Sequence, residues 1–145
     1  MTRFALAISI LAVSLAFFAT AQTPASADQH AVRAVVADYI EAYYSGDAAR
    51  MEKSLHPRYL KHTISGPESK PRMTEHTGLE MVEEVRAAGP APLPASERRE
   101  EISVLDVSGD IASAKLTTSH WVDYLTLAKW NGEWKIVSVV LREND

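Results

Sequence analysis

Two side chains in this sequence could do acid–base chemistry if the fold brings them together. Asp123 lies in the apolar run WVDYLTLAKW, and a carboxylate among apolar side chains has a raised pKa that suits a general base. His62 lies in YLKHTIS, and imidazole can donate or accept a proton near neutral pH. An acid–base enzyme would need both groups within reach of one substrate. We therefore take Asp123 and His62 as candidate catalytic residues.

Each of these residues also has a purely structural interpretation. Strand pairing puts Arg142 diagonally across from Asp123, so the two could form a salt bridge. His62 could be an inward histidine that bonds a helix carbonyl, because it alternates with Leu60 and Ile64. The sequence leaves both interpretations open.

Five further residues are candidates for binding a ligand without reacting with it. Tyr39 and Tyr43 lie on the core face of the first predicted helix, and each joins an apolar ring to a hydroxyl that needs a partner. Ser103 and Ser138 face inward by strand parity, and Trp121 completes the set. A binding pocket needs only one or two such polar groups among apolar ones.

Composition excludes several kinds of site. The chain has no cysteine, so thiol nucleophiles, zinc–thiolate sites and iron–sulfur clusters are excluded. Its five histidines show no HxH or HExxH spacing, and the sequence contains neither a glycine-rich phosphate loop nor a GxSxG motif. Acidic side chains outnumber basic ones, 19 to 15, which disfavours nucleic acid as a partner. We expect no metal and no cofactor.

The N-terminal 27 residues have the pattern of a secretory signal peptide with a short leader. Arg3 precedes an apolar run over 4–19, and small-x-small sites follow at 19–21 and 25–27. The run is shorter than the roughly 18–20 residues that span a bilayer, which disfavours the alternative of a membrane anchor. The pattern predicts a secreted or periplasmic protein, free of the membrane after cleavage, whose domain covers 28–145.

Three helices should position these side chains. Apolar residues recur at helical spacing from Asp28, a plausible N-cap, to Gly46, a plausible stop. Asp47 caps a second short helix that Pro57 closes. Thr77 and Glu80 form the capping box of a third helix. One strand, YLKHTIS, and the loop GPESKPR lie between the second and third helices.

The remaining chain reads as a four-stranded antiparallel meander. Turns at 109–110, 119–120 and 131–132 join the strands, and Asn-Gly in the last is a strong hairpin signal. All three turns place the same apolar set on one face, with Asp123, Ser103 and Ser138 beside it. That set is Leu105, Val107, Ala112, Ala114, Leu116, Leu125, Leu127, Trp134 and Ile136.

YIEAYYSGDAARMEKSLHPRYLKHTIS and DYLTLAKWNGEWKIVSVVL together resemble the nuclear transport factor 2-like superfamily, nearest the putative lumazine-binding proteins. The resemblance implies a cystatin-like α+β fold: a cone-shaped, curved antiparallel sheet with three helices on its concave face and a pocket between them. The ketosteroid isomerase branch is similar too, and its helix tyrosine would fall on Tyr39. Its two acids would fall on Thr63 and near Thr126, and threonine can replace neither.

Three functions fit this resemblance. The first is an exported domain that binds a small, partly apolar molecule without turning it over. The second is an isomerase, cyclase or dehydratase that uses Asp123 and His62, since only Asp123 could supply the pocket acid that a cyclase needs. The third is an assembly module with a vestigial pocket.

The predicted convex face is also apolar, although the three helices can cover only one side of the sheet. It would carry Ile102, Val104, Val122, Tyr124, Thr126, Val137, Val139 and Leu141. A patch this large would be unusual on a monomer, so we expect a homodimer through the convex face.

Overall fold

The computed structural model describes residues 24–144, with the backbone alone for 24–26. The predicted signal peptide lies outside the described residues except for its last four positions, which form the start of the first helix. The helices are α1 (Pro24–Ser45), α2 (Ala48–Ser54) and α3 (Gly78–Ala88), with a 3-10 turn at Ala95–Glu97. The strands are β1 (Leu55–Ser65), β2 (Arg72–Thr77), β3 (Glu100–Ser108), β4 (Ile111–Thr118), β5 (Trp121–Trp130) and β6 (Glu133–Glu143).

The helix ends follow the predicted caps with one exception. Asp47 accepts the backbone N–H of Arg50 at 2.9 Å, and Thr77 forms the capping box with Glu80, as predicted. Asp28 is not an N-cap, because α1 begins four residues earlier. None of the described helices is long and apolar enough to cross a membrane.

Gly46 ends α1 for two reasons. Its φ is 71°, a left-handed conformation that favours glycine. A side chain there would also meet the backbone of Gly89, whose carbonyl carbon would lie 2.4 Å from the added Cβ. The end of α1 therefore packs directly on the segment that follows α3.

The six strands form one curved sheet in the order β2-β1-β6-β5-β4-β3. All neighbours are antiparallel except β1 and β6, which are parallel. The predicted fold class is confirmed, and the meander β3–β6 has its three turns where the sequence placed them. The strand β2 escaped prediction, because its polar residues resemble an extension of the loop before α3.

The core lies between the helices and the concave face of the sheet. Its fully buried side chains include Val36 and Ile40 on α1, Leu116 on β4 and Leu125 on β5. Trp134 on β6 is 5% exposed and closes one end of this core, as expected for the β5–β6 hairpin.

A bulge in β3 reverses part of the predicted register. Leu105 is the extra residue, so Ile102 pairs with Leu116 and Val104 pairs with Ala114. Ile102 and Val104 therefore face the core, while Leu105 is 53% exposed. Ser103 then faces outward, opposite Lys115, and its predicted inward position is wrong.

A second bulge, at Val137 in β6, has the same effect beside the site. Beyond it Ser138 pairs with Thr126 on the convex face, so its predicted inward position is also wrong. Val139 and Leu141 turn inward and are buried, whereas Val140 is 45% exposed. The predicted convex patch therefore loses Val139 and Leu141 as well as the two β3 residues.

Candidate functional site

A cavity of about 320 Å³ opens between α1, α3 and the concave face of the sheet. Its apolar wall comes from Tyr39, Ile40, Tyr43, Met81, Trp121 and Leu141. Its polar lining comes from Lys61, Thr63, Thr74, His76, Glu84 and Glu143. The predicted candidates Tyr39, Tyr43 and Trp121 thus line one cavity together.

Asp123 lies directly behind the wall of this cavity. It is fully buried on the concave face, next to Leu141 in the sheet, so its predicted inward position is confirmed. Its Oδ2 accepts a hydrogen bond from Trp121 Nε1 at 3.2 Å, whereas its Oδ1 is buried without a partner. Burial raises the pKa of Asp123 to about 6, although Lys61 and the Trp121 hydrogen bond lower it. The group can therefore change charge near neutral pH.

The salt bridge considered for Asp123 does not form. Asp123 pairs with Leu141, so the next residue, Arg142, lies on the opposite face of the sheet. The Arg142 guanidinium donates a hydrogen bond to the carbonyl of Gly66 at 2.9 Å.

Lys61 and two tyrosines lie at the other side of the buried carboxyl. Lys61 Nζ donates to the Tyr39 hydroxyl at 3.1 Å. Burial raises the pKa of Tyr39 and of Tyr59, so both phenols stay neutral at physiological pH. The buried hydroxyls of Tyr39 and Tyr59 interact with each other, and the charge of Asp123 acts on both. Asp123 Oδ1 is buried without a hydrogen-bond partner, which marks a candidate functional site, since buried polar groups are usually paired.

His76 and Glu84 form a pair on the rim of the cavity. His76 Nδ1 lies 2.9 Å from Glu84 Oε1, which joins β2 to α3. Neither residue is a site candidate from the sequence, because the polar residues around His76 resemble a loop and Glu84 has no predicted partner without that strand. The signal that could have found them is the alternation of Thr74 and His76, which share the inward face of β2.

Tyr43 stands at the mouth and links the aromatic side chains around it. Its ring meets Trp121 edge-on at 5.5 Å and Tyr44 at 5.7 Å. It is 42% exposed and lines the cavity, so part of its side chain is accessible to a ligand.

His62 lies on the convex face, and its predicted inward position is wrong. It pairs with the exposed Val140, and its Nε2 lies 3.0 Å from Glu75 Oε2. The inward residues of β1 are its neighbours Lys61 and Thr63. Asp123 and His62 are therefore on opposite sides of the sheet and cannot act on one substrate.

The site offers hydrogen-bond donors and acceptors around an apolar wall. Within residues 24–144, no group of three or more acidic or histidine side chains is arranged to hold a metal ion. What the cavity can do is hold a small organic molecule against aromatic rings and orient it by a few polar contacts.

A family model described as putative lumazine-binding matches residues 27–142. A search of the curated proteins found no significant match.

Solved structures share the fold. A protein of unknown function from Silicibacter pomeroyi, described as similar to nuclear transport factor 2, has a TM-score of 0.69 at 23% identity, over 84% of this chain and 100% of that one. A ketosteroid isomerase-like protein from Erwinia carotovora atroseptica has a TM-score of 0.58 at 14% identity, over 81% and 97%. A cystatin-like fold protein from Burkholderia xenovorans has a TM-score of 0.55 at 19% identity, over 79% and 89%. These matches show the fold, and the family model together with the cavity supports a small-molecule binding fold.

Proposed function

Because the chain belongs to the putative lumazine-binding family, we propose that it binds a small, partly apolar molecule in the cavity between α1, α3 and the sheet, and releases it unchanged. The observation that carries this proposal is the cavity itself. It combines an aromatic wall of Tyr43 and Trp121 with the inward cation Lys61, and it remains open instead of being filled by side chains. An open cavity also argues against an assembly module with a vestigial pocket.

The size and lining of the cavity limit the ligand. About 320 Å³ lies near the lower end of the range for small-molecule pockets, roughly 300–1,000 Å³. A flat heterocycle would pack against the aromatic side chains of Tyr43 and Trp121, while its ring nitrogens and carbonyls would meet Lys61, Thr63 and Thr74. A lumazine has this chemistry, so it is a suitable first probe.

Native mass spectrometry of protein purified from its own host tests this function. We expect a retained small molecule, lost on Trp121→Ala, which removes part of the aromatic wall. Trp130→Ala is the matched control, because Trp130 is half exposed at the β5–β6 turn and does not line the cavity. Protein that retains no molecule and does not respond to a lumazine in a titration would contradict the proposal.

An acid–base enzyme is the second candidate, and the His76–Glu84 pair favours it. A carboxylate on one imidazole nitrogen orients the ring, so that the other nitrogen can take or give a proton. This pair replaces the combination of Asp123 and His62, which the sheet separates. Incubating the recovered molecule with fresh protein decides between the two functions, because turnover that His76→Gln abolishes would establish the enzyme.

We also propose that the domain is exported. The support is the charged start, apolar run and small-x-small sites of residues 1–27. N-terminal sequencing of the protein from culture medium or periplasm should begin at Gln22 or Asp28. Protein that retains Met1 in the cytoplasm would contradict export.

A homodimer through the convex face is proposed on a smaller patch than the sequence indicated. Tyr124 and Val140 are cross-strand partners at its centre and are 54% and 45% exposed. Lys115 lies on one side of them, and the His62–Glu75 pair lies on the other. A two-fold axis along the strands between β5 and β6 would bring Lys115 of one copy toward Glu75 of the other, so the patch complements itself.

Light scattering across a hundredfold dilution tests the dimer. We expect a dimer that buries about 800 Å² or more per partner, and its dissociation by Tyr124→Glu with Val140→Glu. Thr117→Glu is the control, because Thr117 is on the same face but nearer its end. Wild-type protein that stays monomeric at the highest concentration would contradict the dimer.

A further inference from the structure

A second cavity adjoins the first along α3. Its volume is about 260 Å³, and it shares Tyr43, Met81 and Glu84 with the first cavity. The rest of its lining is apolar or backbone: Val85, Ala88, Gly89, Pro90, Ala91 and Pro92. The two cavities are therefore adjacent, with Tyr43, Met81 and Glu84 at their boundary, and they differ in character, one mixed and one apolar.

The outer wall of the second cavity is held in place. The backbone N–H of Ala91 donates to the carbonyl of Tyr44 at 2.9 Å, which fixes the proline segment against α1. The close approach of Gly46 to Gly89 fixes its start. Further along, Arg98 Nε donates to the carbonyl of Leu93 at 3.1 Å, which fixes its end. These three contacts hold the segment 89–93 in a fixed position beside α3.

The charges around the first cavity indicate the polar end of an occupant. Lys61 is balanced by Glu84 and Glu143, and Glu84 is in turn bonded to His76. An anionic group would meet two carboxylates, whereas a neutral group that both donates and accepts hydrogen bonds would meet partners of either kind.

From these observations we infer that the second cavity is a subsite for the apolar tail of an amphiphile whose neutral polar head lies in the first cavity. This inference rests on the proposed function and names its ligand class. The chain of the ligand would pass Tyr43 and Met81, which border both cavities. The two volumes together fall well inside the usual range for ligand pockets, roughly 300–1,000 Å³. Taken alone, the first cavity is close to the lower limit of that range and the second is below it.

Straight-chain primary alcohols from butanol to octanol are the probes that test this subsite. Each carries one neutral hydroxyl, and the series varies only the tail. Binding is followed by the indole N–H resonance of Trp121 in nitrogen-15-labelled protein. Each methylene that enters the second cavity should tighten binding by about fourfold, which corresponds to the usual value of about 0.8 kcal/mol.

Ala88→Phe would fill the second cavity, and Ala87→Phe is its control. Ala87 and Ala88 are both exposed at the end of α3, but only Ala88 lines the cavity. We expect Ala88→Phe to weaken octanol binding by about tenfold or more while butanol binding stays within about twofold. Ala87→Phe should leave the whole series as in the wild type.

A measurement on the wild type makes the test independent of how the variants fold. Octanol that carries a terminal diazirine should, on irradiation, label α3 around Ala88 or the segment 90–92. Labelling of β1 or β2 instead would overturn the inference. Equal affinities for butanol and octanol would overturn it too, yet would leave the first cavity as the ligand site. Wild-type protein that binds neither alcohol would overturn the inference, and the retained-ligand experiment would still judge the proposed function by itself.

Discussion

The two ends of the cone use the same three side-chain types to opposite effect. At the end formed by the β5–β6 hairpin, Asp28 accepts hydrogen bonds from Trp134 Nε1 at 2.9 Å and from Lys129 Nζ at 2.6 Å. These two partners hold the pKa of Asp28 below its usual value. The carboxylate, the indole and the ammonium satisfy one another and close the core.

At the open end the same types are left incompletely paired. Asp123 accepts a hydrogen bond from the indole of Trp121, as Asp28 does from Trp134. The nearby lysine, Lys61, donates to the Tyr39 hydroxyl and not to Asp123. Asp123 is also fully buried. Burial raises its pKa more than Lys61 and the Trp121 hydrogen bond lower it, so the pKa rises to about 6.

The difference shows that side-chain types alone do not decide what a cluster does. A satisfied cluster stabilises the fold, because every donor and acceptor exchanges water for a protein partner. An unsatisfied one weakens the fold and is expected where a site departs from simple packing. Changing corresponding residues at the two ends should therefore give opposite results.

The largest expected difference is between the two tryptophans. Trp134→Ala should lower the free energy of unfolding by about 3–5 kcal/mol, because it empties a buried site and removes a donor to Asp28. Trp121→Ala should lower it by less than about 2 kcal/mol, because Trp121 is partly exposed beside the cavity. Urea unfolding followed by circular dichroism measures both. Equal losses would mean that Trp121 is as structural as Trp134.

The next largest effect concerns the two aspartates and pH. The folded-state pKa of Asp123 is above its unfolded value, so its contribution to stability is full below about pH 4 and is lost as the pH rises through about 6. Asp123→Asn removes this loss and should stabilise the protein at pH 7 by up to about 3 kcal/mol. Below pH 4 the variant and the wild type should differ little, because both side chains are then neutral.

Asp28→Asn is the matched change at the closed end, and its sign is reversed. The pKa of Asp28 is lowered, so its contribution is present above the unfolded pKa and is lost as the pH falls. The variant should therefore be less stable than the wild type at pH 7 and approach it in acid. Unfolding curves for both variants from pH 3 to 8 would contradict this account if the two differences from wild type had the same sign.

The closed end was the more predictable from sequence. Asn131-Gly132 defines the hairpin that buries Trp134, and the period of α1 defines the face that covers it. Local signals of this kind act over a few residues. The turns, the caps at Asp47 and Thr77 and the fold class that depend on them are correct, whereas the N-cap predicted at Asp28 is wrong.

The open end was less predictable for two reasons. Bulges in β3 and β6 shift which side chains face inward, and the inward face of β1 is the more polar one. Neither Leu105 nor Val137 has a residue type that marks a bulge, yet each reverses every residue beyond it. In β1 the more polar pair, Lys61 and Thr63, faces inward, against the hydrophobic pattern, because it lines a cavity. Alternation with Leu60 and Ile64 therefore favours His62 over Lys61 as the inward residue, and the structure has the reverse.

The smallest expected effect comes from changing the lysines. The two clusters differ here because Lys129 bonds its aspartate, whereas Lys61 bonds Tyr39. Lys61→Met removes the cation that lowers the pKa of Asp123, so that pKa should rise further, by less than burial already raises it. Carbon-13 NMR of the aspartate carboxyl resonances measures the change, and the Asp123 signal is assigned by its loss in Asp123→Asn. Lys129→Met is the control: it should raise the pKa of Asp28 and leave that of Asp123 unchanged, because Lys129 bonds only at the closed end. If Lys61→Met left the titration of Asp123 in place, the cation would act on Tyr39 alone. The pKa of Asp123 would then depend only on burial and on the Trp121 hydrogen bond. The incomplete pairing at the open end would be a packing feature without a role in adjusting that pKa.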